Sequence, residues 1–215
     1  MEASATHVAP GSRWLTVPAL AGIAYTLSWI AGLSIPAPSP KLTASGAGIA
    51  GALAGHGTAV AAQFALTEGL PSAGLAIVSI ALARAARSSG AVTAARFAAI
   101  SGVAAAAISL LQFGLGLVLA RSAAPGSTHL LYAAVNRLDG VKMLALAILA
   151  TAGAASGLLP RWLRYAGIML AMAITASGIA YLLLLQSLAA LAYAAGLLLL
   201  VFITATGAVL GSTRR

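Results

Sequence analysis

Three ionisable residues stand inside otherwise apolar runs: Glu68, Asp139 and Lys142. A charged side chain at such depth is costly in hydrocarbon unless it is paired, hydrated or protonated, so each marks a candidate site. Two carboxyl groups in an apolar cavity could work as a catalytic pair, one donating a proton and the other orienting it. Glu68 and Asp139 would be that pair, and an apolar substrate such as a terpenoid or polyprenyl chain undergoing cyclisation or isomerisation would suit them. Alternatively, Glu68 is the protonatable group of a small proton-coupled transporter. A third reading, placed first, is a structural or accessory membrane protein whose polar residues are glue between helices. Lys142 is the obvious partner for Glu68, since only Lys142 and Arg137 lie at compatible depth. Asp139 and Lys142 are three apart on one helix and can also meet. If that helix begins near Leu138, Asp139 also favours its N-terminus electrostatically.

The residues expected to line the site with them are Gln63, Gln112, Asn136, Tyr181, Gln186 and Trp29, with Tyr25, Ser28 and Tyr193 nearby in depth. Counting about 1.5 Å per helical residue from the basic ends of the runs puts all of these in one half of the membrane, the outer half. A polar pocket opening outward or towards the outer leaflet is the expectation. Beside Glu68, the stretch Thr67-Glu68-Gly69-Leu70-Pro71 predicts a kink, because Pro71 lacks the donor that would reach Thr67. His56 and His129 stand alone, so neither a metal site nor haem ligation is expected, and no cofactor is implied. No phosphate loop, nucleophile elbow or HExxH pattern occurs.

Composition dictates what must position these groups. The 215 residues are 61% hydrophobic and 7% charged, with a mean hydropathy of +1.01. So few charges cannot cover the surface of a water-borne domain of this length. The apolar runs are about 20 residues long, enough to cross about 30 Å of hydrocarbon. An all-α, polytopic transmembrane helical bundle of six spans follows, as one domain. The spans are placed at 15–35, 58–83, 97–120, 138–159, 163–185 and 188–210. A short surface helix, or an extension of the second span, is expected over Thr43–Gly57. The first run is read as a retained span and not a signal peptide, because its flank lacks a charged segment.

Charge gives orientation. With the N-terminus inside, Arg13, Arg84, Arg87, Arg96, Arg161, Arg164, Arg214 and Arg215 face the cytoplasm; Lys41, Arg121, Arg137 and Lys142 fall on the other side. Both termini are therefore expected in the cytoplasm. The net charge of +9 reads as topology signalling and attraction to membrane lipid, not as a nucleic-acid surface. There are no cysteines, which excludes disulfides and thiol chemistry. Trp14, Trp162 and Tyr165 are interface aromatics. Ser127 is a plausible helix cap, and Ser177 and Thr204 are expected to bond back to their own helices. The pairs Gly51/Gly55, Gly153/Gly157 and Gly167/Ala171 have the small-xxx-small spacing of close helix packing.

Two stretches carry a resemblance. LTASGAGIAGALAGHG, ahead of the second span, resembles a small-residue helix ending in histidine. LDGVKMLALAILATAGAASGLLPRWLRYAGIMLA resembles a span–LPRWL–span hairpin. Both resemble a large bacterial family of six-span integral membrane proteins of unknown function, over roughly two thirds of the chain. The resemblance implies six spans with both ends inside and a bacterial cytoplasmic (plasma) membrane. It supplies no activity. Asp139 falls where such proteins often carry an acidic residue; Glu68 matches no motif of the family.

Overall fold

Leucine, alanine, valine and isoleucine in long uninterrupted runs leave the backbone one way to satisfy its polar groups in an apolar medium, and that is the helix. The computed structural model describes residues 16–212. Among them there are helices and no strands. In chain order these are α1 (Val17–Leu33), α2 (Gly46–Leu53), α3 (Gly57–Phe64), a π-helical turn (Ala65–Gly69), α4 (Leu70–Ser88), α5 (Val92–Leu119), α6 (Pro125–Ala155), α7 (Arg161–Leu182), α8 (Gln186–Ala189) and α9 (Leu191–Ser212). α3, the π turn and α4 run on as one rod, Gly57–Ser88. That rod, α5, α6, α7 and α9 are five helices long and apolar enough to cross a membrane, and α1 is a shorter apolar helix of 17 residues. This is the make-up of a membrane-embedded helical bundle.

The long helices form a closed ring in chain order. α1 packs on α4, α4 on α5, α5 on α6, α6 on α7, α7 on α9, and α9 returns to α1. Short turns force the alternation. Gly90, at φ +86°, reverses the chain between α4 and α5. Gly157, at φ +74°, does so between α6 and α7, where Pro160 then caps the new helix. In this second turn Arg164 Nε donates to the Ala154 carbonyl at 2.9 Å, satisfying the end of α6, and Leu159 and Leu163 are buried beneath it. α2 is a separate short helix, capped by the Ser45 hydroxyl, and it packs on α6.

Small residues set the close crossings. A Cβ on Gly140 would lie 2.6 Å from the Gly178 carbonyl oxygen, so α6 and α7 touch backbone to backbone there. A Cβ on Gly22 would lie 3.0 Å from the Ile203 carbonyl at the α1–α9 crossing. The buried Phe202 ring fills a notch between Gly153 and Gly167, each of whose Cβ atoms would come within 2.9 Å of it.

Several expectations need correction. Gly51 has open space around it, Gly55 takes φ +76°, and Gly157 forms a turn, so Gly51/Gly55 and Gly153/Gly157 are not packing pairs. α6 begins at Pro125 because proline at the first helical position needs no N–H partner; Ala124 holds the cap position. Ser127 lies inside that first turn, its hydroxyl donating to Ala124 at 3.0 Å. Asp139 is consequently in mid-helix and gains nothing from a helix N-terminus. Ser177 bonds back to Ala173 as expected, but Thr204 does not stay on its own helix: it donates to the Gly22 carbonyl at 3.1 Å and meets Thr26 at 2.6 Å. Arg13, Trp14, Leu15, Arg214 and Arg215 lie outside the described residues.

Candidate functional site

Glu68 owes its position to the π turn. The extra residue in the ladder, with Leu70 N–H bonding to the Ala65 carbonyl, rotates the helix face just where the carboxylate sits. Pro71 cannot continue the ladder, and the Leu66 carbonyl instead accepts from the Ser28 hydroxyl of α1 at 2.7 Å. Thr67 donates to the Gln63 carbonyl at 2.9 Å, and Ser72 to the Gly69 carbonyl at 2.6 Å. The kink predicted beside Pro71 thus takes the form of a π turn whose loose carbonyl a neighbouring helix satisfies.

From this turn Glu68 reaches Lys142 of α6. The ammonium lies 2.7 Å from Oε1 and 2.8 Å from Oε2. One turn earlier on α6, Asp139 Oδ1 is 2.7 Å from the same nitrogen. Three carboxylate oxygens therefore surround one ammonium, which matches the three protons it has to donate. Glu68 and Lys142 are buried, and the Asp139 side chain keeps 19% of its surface. Gln112, buried on α5, joins Asp139: its Nε2 donates to Oδ1 at 3.3 Å and to the Val135 carbonyl at 3.1 Å. These two acceptors fix the amide orientation, leaving Gln112 Oε1 without a partner among the described residues. Ser109, one turn before Gln112, lies within reach of the Glu68 carboxylate, and the buried Tyr25 ring of α1 is within electrostatic range of all three charges.

The cluster holds two carboxylates and one cation. Glu68 and Lys142 are buried in it, and Asp139 is partly open. A groove of about 750 Å³ lies elsewhere, between the α4–α5 turn, α6 and α7, with Phe97, Leu144, Ile148 and Thr175 among its walls. Of the polar residues expected to line a pocket, Glu68, Asp139, Lys142 and Gln112 come together, as a mutually bonded knot; the 750 Å³ groove is at the opposite, basic end of the bundle.

The remaining sequence candidates divide. Asn136 is buried, yet its amide donates to the Tyr132 carbonyl of its own helix at 2.8 Å. Tyr132 in turn bonds to the Pro40 carbonyl, tying the α1–α2 connection to α6. Tyr181 of α7 is half-buried and close enough to Asp139 to feel its charge. Gln63 and Trp29 are half-buried without a bond to the knot, and Trp29 packs on the apolar core. Gln186 is exposed, and its Oε1 accepts from the Leu42 N–H at 2.8 Å, so it fastens a loop. Ser109 is the contributor that sequence reasoning missed; Ser28 was placed at this depth, but its bond to the Leu66 carbonyl was not foreseen. Ser109 could have been found from its spacing of three before Gln112, whereas Ser28 answers a carbonyl that only the π turn sets free.

With this geometry in hand, comparison with known proteins returned nothing: no family model, no curated protein and no solved structure matches the chain.

Proposed function

We propose that the chain is a structural or accessory protein of a bacterial cytoplasmic membrane, crossing it six times with both termini inside. In this reading the Glu68–Lys142–Asp139 knot is an electrostatic clamp that fixes the helices of the ring. The carrying observation is that Lys142 spends all its donors on Glu68 and Asp139, leaving none for a substrate. A buried ion pair is costly to half-remove but often neutral to replace as a whole. The test is the neutral triple variant Lys142→Met/Glu68→Gln/Asp139→Asn, compared with wild type for melting in detergent and for complementation of a deletion strain. Wild-type melting with full complementation fits the clamp. Wild-type melting with lost complementation means that the carboxyl groups do chemistry, and the accessory reading falls.

A second reading has a specific observation in its favour. The knot carries one more carboxylate than cation, Asp139 is partly open, and Gln112 Oε1 is unpartnered beside it. Those are the ingredients of a proton-coupled carrier in which Glu68 or Asp139 takes up a proton. Proteoliposomes report it directly: proton flux tracked by an internal pH dye, present in wild type and absent in Glu68→Gln, would favour the carrier. The third reading, an enzyme acting on an apolar substrate with Glu68 and Asp139 as the acid pair, calls for turnover without any gradient.

A further inference from the structure

Away from the knot, at the other end of the bundle, Arg84 and Arg87 of α4 and Arg96 of α5 line a single groove of about 290 Å³, with Ile80, Ala99 and Ile100 as its apolar walls. All three arginines are exposed. None has a carboxylate partner among the described residues, where the acidic side chains are Glu68 and Asp139, both engaged with Lys142. Three like charges around one groove repel one another. The N-terminus of α5 adds to the positive field, since it has neither a capping side chain nor an acidic residue in its first turn. An anion with several acceptor oxygens can engage more than one of these guanidinium groups at once, and phosphate has the matching geometry.

We propose that the groove binds the phosphate headgroup of an anionic phospholipid, with an acyl chain lying along Ile80 and Ile100. The proposal rests on the reading that these helices lie in a bilayer. The isoleucines decide between lipid and free phosphate. Ile80 stands one turn before Arg84, and Ile100 one turn after Arg96, both farther from the helix ends than the arginines and both exposed, at 37% and 70%. A headgroup among the arginines therefore places its chain on an apolar wall already in place. A soluble phosphate ion would leave that wall unused.

Purified, delipidated full-length protein is titrated with phosphatidylglycerol, with phosphatidylcholine and with inorganic phosphate, and adducts are counted by native mass spectrometry. The wild type is expected to bind phosphatidylglycerol well above phosphatidylcholine. An arginine near a membrane surface contributes about a fivefold affinity for anionic lipid, so Arg84→Gln/Arg87→Gln/Arg96→Gln should weaken the selective adduct about a hundredfold. Arg121→Gln, at the opposite end, should leave it unchanged. If the triple variant does not fold, Arg96→Gln alone carries the same test, with a loss of about fivefold. Equal binding of the two lipids, or selectivity that survives loss of the arginines, overturns the proposal. So does displacement of the lipid by inorganic phosphate at equal concentration, which would make this a site for the free ion.

Discussion

The ammonium of Lys142 lies between the two oxygens of Glu68, at 2.7 and 2.8 Å, and ties the rod of α3 and α4 to α6 across the interior of the ring. Removing only the lysine leaves the buried Glu68 carboxylate and the partly open Asp139 carboxylate without their shared cation. Lys142→Met is therefore expected to destabilise the bundle by about 3–5 kcal/mol. Glu68→Gln should cost less, because Asp139 still neutralises the ammonium. Combining Lys142→Met with Glu68→Gln should recover part of the loss. Denaturant titration in detergent measures all three, and strictly additive effects would show that the two residues are not coupled.

The π turn gives a second cycle. Ser28→Ala removes the hydroxyl that satisfies the Leu66 carbonyl and should cost about 1 kcal/mol. Pro71→Ala restores a backbone donor next to that carbonyl. In the Pro71→Ala background the cost of Ser28→Ala should therefore shrink, a coupling readable from melting of the two single variants and the double.

Glycines of the two kinds should respond in opposite senses. At Gly140 a methyl group meets the α7 backbone, and Gly140→Ala should destabilise by about 1–3 kcal/mol. At Gly51 the space is open and the backbone is helical, so Gly51→Ala should stabilise α2 by about 0.5–1 kcal/mol. Parallel thermal melts of the two variants check both signs.

Phe202 is the largest fully buried side chain, and its notch is lined by glycines that cannot fill the space it leaves. Phe202→Ala should cost about 3–5 kcal/mol, and Phe202→Leu clearly less. Melting of the two variants against wild type would expose an inverted order.

Much of this was legible in the residues. Length and apolarity located the long helices, and depth counted from the basic ends brought Glu68, Asp139 and Lys142 to one level, where they do meet. Pairing logic worked because a buried charge has so few acceptable partners. Other readings failed where one residue type serves two purposes. Gly55 and Gly157 have the spacing of packing residues, but they are turn residues at positive φ, and spacing alone does not distinguish the two. Gln186 matched the site in depth yet serves the Leu42 backbone, since depth says nothing about direction around the ring. Gly140 and Gly178 were invisible as a pair because they stand on different helices. The α1–α9 bond of Thr204 needed knowledge that the last helix returns to the first.

That return sets a timetable for synthesis. Thr204 and Gly22 are 182 residues apart, and the face of α1 that receives α9 has no other long helix to cover it. At about 5–20 residues per second, a ribosome needs on the order of 10–40 s to deliver the closing helix. For that interval the first helix has docked on α4 while its Gly22 side still faces lipid or the insertion machinery. The bundle is a circle that is drawn open and closed last, so a chain halted before Leu191 would leave the membrane holding an unshut ring.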